Sequence, residues 1–290
     1  MENYSELHKI DLHMHSTISD GTDTPEELLL KVKAAGIGLF SLTDHDAIAG
    51  AEMVKEKRGP DDPLFISGAE FSCRDIFGKY HILGYGYDSS APAVNDLVKT
   101  GHSSRIIKLE RRLEALRDQF GFSFSDEDIS LLFANKNPGK PHIANLMVKY
   151  GYASDKEQAF SAYLNRLKIP NMHFHPEEAI TAILESGGIP VLGHPSYGSG
   201  DERVMGDDLD ERLQRLIGFG LQGVEGYYST FSPQMQEEVL SMAEKYDLYV
   251  TAGSDYHGKN KMVMLGDNNL SDVSQAPRGL HRFLEDVNLR

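Results

Sequence analysis

The sequence predicts an α/β fold: a barrel of mainly parallel strands and outer helices, interrupted by a helical block. Three observations carry that prediction. Strand and helix patterns alternate over residues 1–95 and again over 171–290, whereas residues 96–170 carry helical patterns. Ionisable residues recur where the apolar strand runs stop, and a βα-barrel builds its working face at the carboxyl ends of its strands. At 290 residues the chain can bury the core of one large domain. An open doubly wound sheet is the structural alternative, but it accounts less well for ligand-type residues arriving from so many strands.

Each element has its own signal. KIDLHMH is a short strand. Thr24 then caps a helix, with Pro25 in its first turn and Glu27 completing a capping box. Leu28, Val32 and Ala35 continue along one face, and Gly36 suits the exit. IGLFSLTDHD reads as a buried strand with a polar end, while FISGAEFSC and KYHILGYGY, separated by RDIFG, pair as a hairpin. In the central block Ile106, Leu109, Leu113 and Leu116 form a helical stripe. PHIANLMVKYG is a second helix, and Ser154 with Glu157 boxes a third. Alternation resumes with HPEEAITAILESGG and IPVLGHP, DLDERLQRLIGFG and LQGVEGYY, then SPQMQEEVLSMAEKYD and LYVTAGSDYH.

Composition narrows the function classes. Hydrophobic residues at 40% and charged residues at 25% are ordinary for a soluble domain. No apolar run has membrane-spanning length, and the start MENYSELHKIDLH is not a signal peptide. The single cysteine, Cys73, excludes an internal disulfide, suits a reducing, cytoplasmic setting and reads as a small strand residue. A formal charge of −15 disfavours long nucleic-acid tracks. It does not disfavour small phosphates, because three bound divalent ions would set six positive charges against three ligand carboxylates. Oligomeric state is not encoded in any pattern here.

Nine residues at strand ends have metal-ligand chemistry: His13, His15, Asp20, His45, Glu70, His81, His194, Asp255 and His257. His13 and His15 are two apart on a strand and share a face, as do Asp255 and His257. One carboxylate of Thr43-Asp44-His45-Asp46 is placed to orient the imidazole between them. Taken singly, Asp20 is a turn residue, Glu70 a strand-end acid and His81 a satisfied core histidine; jointly they supply oxygen and nitrogen donors for two or three divalent ions.

Asp11-Leu12-His13-Met14-His15-Ser16-Thr17, Ser19-Asp20-Gly21, Thr43-Asp44-His45-Asp46, Gly68-Ala69-Glu70, His194-Pro195 and Gly253-Ser254-Asp255-Tyr256-His257 resemble the motifs of the polymerase and histidinol phosphatase (PHP) superfamily. The resemblance covers nearly the whole chain. It is greatest for the branch of nucleoside 3′,5′-bisphosphate phosphatases and cyclic-phosphate phosphodiesterases. It implies a distorted, TIM-like (βα)7 barrel over residues 1–95 and 171–290, with residues 96–170 as an inserted helical subdomain or lid.

The resemblance also implies roles. His13, His15, Glu70 and Asp255 would surround one ion; Glu70, His81 and His194 a second; Asp20, His45 and His257 a third. The resemblance implies manganese first, and the ligand types also admit iron or zinc. Asp20, Glu70 and His142 are the catalytic candidates, His142 as a phosphate contact or as the acid for the leaving oxygen. Lys140 and His142 of Gly139-Lys140-Pro141-His142 would bind substrate phosphate, with Lys140 standing where an arginine is common. Arg105 and Arg112 read as solvated helix faces, His173 and His175 as a connector and helix entry, and His8 and His102 as surface residues.

The expected activity is metal-dependent hydrolysis of a small phosphate ester, in which coordination lowers the pKa of a bridging water toward neutrality. A nucleoside 3′,5′-bisphosphate losing its 3′-phosphate ranks first and a ribose cyclic phosphate second. Histidinol phosphate ranks third, since Asp20 stands where some relatives place histidine. Amidohydrolase chemistry at carbon and a non-catalytic metal domain of a polymerase assembly are the rival classes.

Overall fold

The computed structural model describes residues 7–135, 137–170, 172–198 and 202–287, so the first six residues of the start compared with a signal peptide lie outside it. Seven strands form one sheet in sequence order: β1 (Ile10–Asp11), β2 (Leu39–Leu42), β3 (Leu64–Asp75), β4 (Gly78–Tyr85), β5 (Ile189–Leu192), β6 (Gly223–Tyr228) and β7 (Tyr249–Gly253). All neighbouring pairs are parallel except those of β4, which runs against both β3 and β5. The seam between first and last strands is nearly closed: Leu12 N–H donates to Ala252 O at 2.9 Å, and Met14 bridges Tyr256. The result is a distorted seven-stranded barrel.

Two local departures from the sequence expectation, and the expected reversal of β4, bear on function. Regular pairing of β1 stops at Asp11, so His13 and His15 lie just beyond the strand. Asp11 accepts from Ser254 N–H at 2.9 Å and Gly266 N–H at 2.7 Å, which pulls this segment toward the β7 side of the seam. β3 does not end near Glu70 but continues to Asp75, with only Ile76 and Phe77 between it and β4. Because β4 is reversed, its beginning lies at the face where the parallel strands finish, which is why His81 joins residues from strand ends.

Helices α1 (Pro25–Ala34), α2 (Ala49–Lys57), α7 (Pro176–Glu185), α8 (Asp207–Gly218), α9 (Pro233–Lys245) and α10 (Arg278–Asp286) accompany the barrel. Thr24 and Glu27 form the expected capping box on α1; α2 has no side-chain cap and gave no clear sequence signal. The central block contains α3 (Pro92–Phe120), α4 (Asp126–Ala134), α5 (Lys140–Lys149) and α6 (Lys156–Gln158), the last running into a π-helical turn, Ala159–Leu164. Asp155, rather than Ser154, caps α6. One helix bridges two cores: Val94 and Leu97 of α3 pack into the barrel cluster, whereas Leu109 and Leu116 pack with Ile143, Met147 and Leu164 in a separate cluster. Among the described residues, no helix is long and apolar enough to cross a membrane.

α10 shows how the barrel is sealed. Leu280, Phe283 and Leu284 share one face and are buried, with the Phe283 ring edge-on to Tyr85, centroids 5.4 Å apart. Phe283→Ala should therefore lower the unfolding free energy by about 3–5 kcal/mol, measured by chemical denaturation. A loss below about 1 kcal/mol would show that α10 is not part of the cooperative core.

Candidate metal centre

All nine ligand-type residues converge at one end of the barrel. Glu70 is the hub. Its Oε2 lies 3.2 Å from His13 Nε2, 3.0 Å from His15 Nε2 and 3.1 Å from His45 Nδ1. Its Oε1 lies 2.6 Å from His81 Nδ1 and 3.3 Å from His194 Nε2. Asp255 Oδ1 approaches His15 Nε2 at 3.3 Å and His13 Nε2 at 3.7 Å. Asp20 completes the other side, with Oδ1 3.3 Å from His257 Nε2 and Oδ2 3.9 Å from His45 Nε2. These contacts parallel the three ligand sets implied by the resemblance, although His15 faces both the Glu70 side and Asp20, whose Oδ1 is 3.8 Å from its Nδ1.

Those placements follow from local chain geometry. Glu70 projects from the middle of β3, the His81 ring from β4, and the rest from segments just after β1, β2, β5 and β7. Among the described residues, Asp46, His194 and Asp255 are non-glycine positions at positive φ, 49°, 29° and 58°. Each such backbone costs on the order of 1–3 kcal/mol, a strain that accumulates where side chains must be aimed. Gly253 has no room for a side chain, because a Cβ there would strike His13 and Glu225.

A second layer holds the ligands, and part of it escaped the sequence reading. Glu225 is fully buried in β6; its Oε1 lies 2.9 Å from His13 Nδ1, and its Oε2 accepts the His194 N–H at 2.7 Å. With Nδ1–H donated to Glu225, His13 presents the Nε2 lone pair to Glu70's surroundings. The signal in the sequence was an acid inside the apolar run LQGVEGYY. Tyr228 O–H donates to Asp255 Oδ2 at 2.7 Å, and the Lys261 ammonium contacts the same oxygen. The expectation that Asp44 or Asp46 orients His45 fails. Asp44 instead accepts from Ser16 N–H and from the Ser16 and Ser19 hydroxyls at 2.8, 2.7 and 2.6 Å, while Asp46 pairs with Arg105.

The electrostatics suit a cationic guest. Burial favours the protonated acid, but His45, His81 and His13 outweigh it and hold Glu70 well below its ordinary range. Burial likewise opposes the charge of Asp20, and His45, His257 and His15 override it. Burial opposes protonation of His15 too, yet Asp255, Glu70 and Asp20 raise it to about 9. Burial drives His45 down to about 3. Five buried atoms, His13 Nε2, His15 Nε2, Asp20 Oδ1, His45 Nδ1 and Glu70 Oε2, have no aligned hydrogen bond despite their proximity. Buried orphans of this kind are rare. The donor set is nitrogen and carboxylate oxygen without thiolate, so it fits manganese, iron or zinc. His15, Asp20, His45 and His257, then His13, His15 and Glu70, and then His45, Glu70 and His81 are the groups close enough to share an ion.

A cavity of about 340 Å3, lined by seven of the nine together with Tyr197, Tyr228 and Lys261, opens onto this cluster. The larger groove of about 680 Å3 between α9 and α10 has no convergent imidazoles and belongs to the outer wall.

The helical block contributes from above. Arg105 Nε donates to Asp46 Oδ2 at 2.8 Å, and Arg112 is largely enclosed, so neither lies on a solvated face as expected. Asn137 Nδ2 donates to His45 O. His142 Nδ1 accepts the Gly139 N–H at 3.0 Å, which leaves Nε2 carrying the proton, and burial lowers its pKa. This suits a hydrogen-bond donor to phosphate and opposes protonation of Nδ1, which the acid role would need. Lys140 Nζ donates to Asn165 Oδ1 at 2.8 Å. His175 caps α7 with Glu178, as a helix entry should, whereas His173 is enclosed beside Lys108 and Lys79. His8 pairs with Asp272 at the surface and His102 is exposed. The Cys73 thiol is buried and burial pushes its pKa well up, an inert strand residue.

Two outcomes follow. Glu225→Gln should weaken divalent-ion affinity about 10–100-fold, read by calorimetric titration of manganese; unchanged affinity would remove Glu225 from the account. The second concerns pH. His15 rises from 6.5 to about 9 in the folded chain, so folding retains a proton that the unfolded chain has lost within that window. Its stabilisation is complete below about 6.5 and lost as pH rises through about 9. With ions chelated, the melting temperature should therefore fall from pH 6.5 to 9. The His15→Gln variant should show a shallower fall, and an equal slope in both proteins would contradict the assignment.

Comparison with known proteins agrees with the geometry. A model of the PHP domain matches residues 11–168. The 3′,5′-nucleoside bisphosphate phosphatase of Chromobacterium violaceum is 33% identical, covering 97% of this chain and 98% of the relative. The phosphoribosyl 1,2-cyclic phosphate 1,2-diphosphodiesterase of Eggerthella lenta is 29% identical over 86% of this chain and 94% of its own. A 5′-3′ exoribonuclease of Haemophilus influenzae is 28% identical over 90% and 94%. Among solved structures, a candidate metal-dependent phosphoesterase of Bifidobacterium adolescentis superposes with a TM-score of 0.82 at 29% identity, covering 96% of each chain. With its matched domain, its near full-length relatives and its ring of imidazoles around Glu70, this chain belongs to the PHP domain family, whose members are metal-dependent phosphoesterases.

Proposed function

We propose that this chain removes the 3′-phosphate from a small nucleoside 3′,5′-bisphosphate, using two or three divalent ions, manganese first, in a cytoplasmic setting. The observation that carries the reading is the set of five buried nitrogen and oxygen atoms around Glu70 and Asp20 that crowd one another without an aligned hydrogen bond. His13, His15, Glu70 and Asp255 would hold one ion, Glu70, His81 and His194 another, and Asp20, His45 and His257 a third. Bound there, the ions would supply Lewis-acid activation of water and neutralise charge gathering on the phosphoryl group.

The chain's own groups do the rest. Glu225 keeps His13 in the Nδ1–H tautomer, so its Nε2 faces the cluster. Tyr228 and Lys261 hold Asp255 by one oxygen and leave the other turned toward His13 and His15. Lys261 also lines the cavity and offers a cation to a phosphate oxygen. His142 offers its Nε2–H to the substrate, and Lys140 a point charge. Residues 96–170 act as a lid that keeps long nucleic acid out of a cavity of about 340 Å3. Glu70 is too closely surrounded by imidazoles to serve as a free base, and its catalytic part would be to hold ions through both oxygens.

A cyclic ribose phosphate is the second reading, supported by the Eggerthella lenta relative. The same centre serves either reaction, since both require water delivered to phosphorus beside two or more ions. Initial rates of the manganese-loaded chain on a nucleoside 3′,5′-bisphosphate, a ribose cyclic phosphate, histidinol phosphate and a short oligoribonucleotide rank the substrates. The bisphosphate should give the highest kcat/KM; higher efficiency on any of the others would replace it. Replacing His13 and His15 together with alanine should abolish turnover and reduce bound metal, and full activity in that protein after metal depletion would refute the mechanism.

A further inference from the structure

Beside the metal centre lies a second cavity, of about 180 Å3, whose lining is set apart by charge. Arg74, Lys79, Lys108, Arg112 and Lys140 surround it, with His173. In a chain of formal charge −15, five cations around one small space are far from an average surface. Three separate elements bring them together. Arg74 and Lys79 stand opposite each other in the β3–β4 ladder, Lys108 and Arg112 are one turn apart on α3, and Lys140 opens α5.

Asp46, which pairs with Arg105, acts on Lys108 only from beyond salt-bridge distance. Like charges one turn apart weaken a helix, and like charges across a ladder weaken a sheet. Among the described residues, Arg74, Lys79, Lys108 and Arg112 form no salt bridge; the cavity-lining Lys140 bonds only to the neutral Asn165. Solvent reaches the exposed Arg74 and part of Lys79 and Lys140, but Lys108 is buried, and the Nε of Arg112 is buried with no hydrogen-bond partner. Burial and the neighbouring cations lower Arg112 to about 10 and Lys140 to about 8. A buried guanidinium N–H without an acceptor calls for one from outside.

The cavity also has a defined place relative to the chemistry. Lys79 and His81 alternate on β4 and so share a face, about 7 Å apart along the strand. Arg105, which pairs with Asp46 beside His45, lies one turn before Lys108 on α3. That spacing suits two phosphoryl groups carried on one pentose. A space of about 180 Å3 admits a phosphate group but falls below the roughly 300 Å3 at which whole-ligand pockets begin. Two guanidinium forks and three ammonium groups exceed what a carboxylate can use and match a phosphate dianion.

We infer that this cavity binds the second, non-reacting phosphate monoester of a doubly phosphorylated small substrate, with Arg74, Lys79, Lys108 and Arg112 as specificity-determining residues. The inference rests on the phosphoesterase reading and specifies its substrate class.

Calorimetric titration of inorganic phosphate into the chelator-treated whole chain tests the cavity without turnover. Wild-type protein should bind phosphate, and Arg112→Met and Lys79→Met should each weaken binding about tenfold or more. Arg111→Met, at an exposed arginine paired with Glu114 at 3.3 Å, should leave phosphate binding unaltered. Absent binding in the wild type, or wild-type affinity in both cavity variants once circular dichroism shows them folded, overturns the inference. With manganese restored, the ratio of kcat/KM for a nucleoside 3′,5′-bisphosphate to that for the 3′-monophosphate should fall about tenfold in the cavity variants, through KM. An unchanged ratio rejects the inference while leaving the phosphoesterase intact. If the wild type turns over neither substrate, the functional reading fails, and the phosphate titration still decides whether the cavity is an anion site.

Discussion

The burial of Glu70 is the constraint on which the rest of the molecule depends. A carboxylate taken from water into a barrel's end is costly unless opposite charge or hydrogen bonds surround it. Here its side chain is 1% exposed and five imidazoles crowd its two oxygens. Those imidazoles come from the segments after β1, β2 and β5 and from β4, so the carboxylate can be satisfied only when the barrel has closed. Fold and site are therefore one cooperative arrangement. Protons on His13 and His15 balance part of the acid charge in the ion-free protein, and divalent ions compete with those protons for the same lone pairs.

Around that hub, the backbone accepts strain to aim side chains. His194 and Asp255 sit at positive φ directly after their strands. Asp11 fastens Ser254 and Gly266, Asp44 fastens the Ser16–Ser19 turn, and Glu225 ties His13 to the backbone of His194. The helical block is joined to the same construction rather than hung beside it. Asn137 reaches His45 O, Arg105 grips Asp46, and Lys156 contacts Asn260, which in turn donates to Asp20 O at 2.6 Å. The acid-held imidazoles thus lie at the end of the barrel, with the cluster of cations to one side of them.

Much of this was legible in the residues themselves. Alternating βα patterns announced the barrel, and two His-x-His-like pairs at strand ends announced the ligand set. The capping box at Thr24 and Glu27 was local chemistry and therefore readable. What escaped depended on contacts between distant segments. Nothing near Glu225 in sequence shows that His13 and His194 will meet it, and Asp44 and Asp46 look alike flanking His45 although they serve different partners. Arg112 looked like an ordinary charged helix residue, because its burial comes from β3, β4 and α5 rather than from α3 itself.

Anomalous diffraction at the manganese edge, from crystals of the whole chain grown with manganese, is the most direct measurement of the central claim. The account predicts at least two strong peaks within coordination distance of Glu70, flanked by His13 and His15 on one side and by His81 and His194 on the other. Peaks confined to surface carboxylates, with the Glu70 cluster empty at saturating manganese, would contradict it.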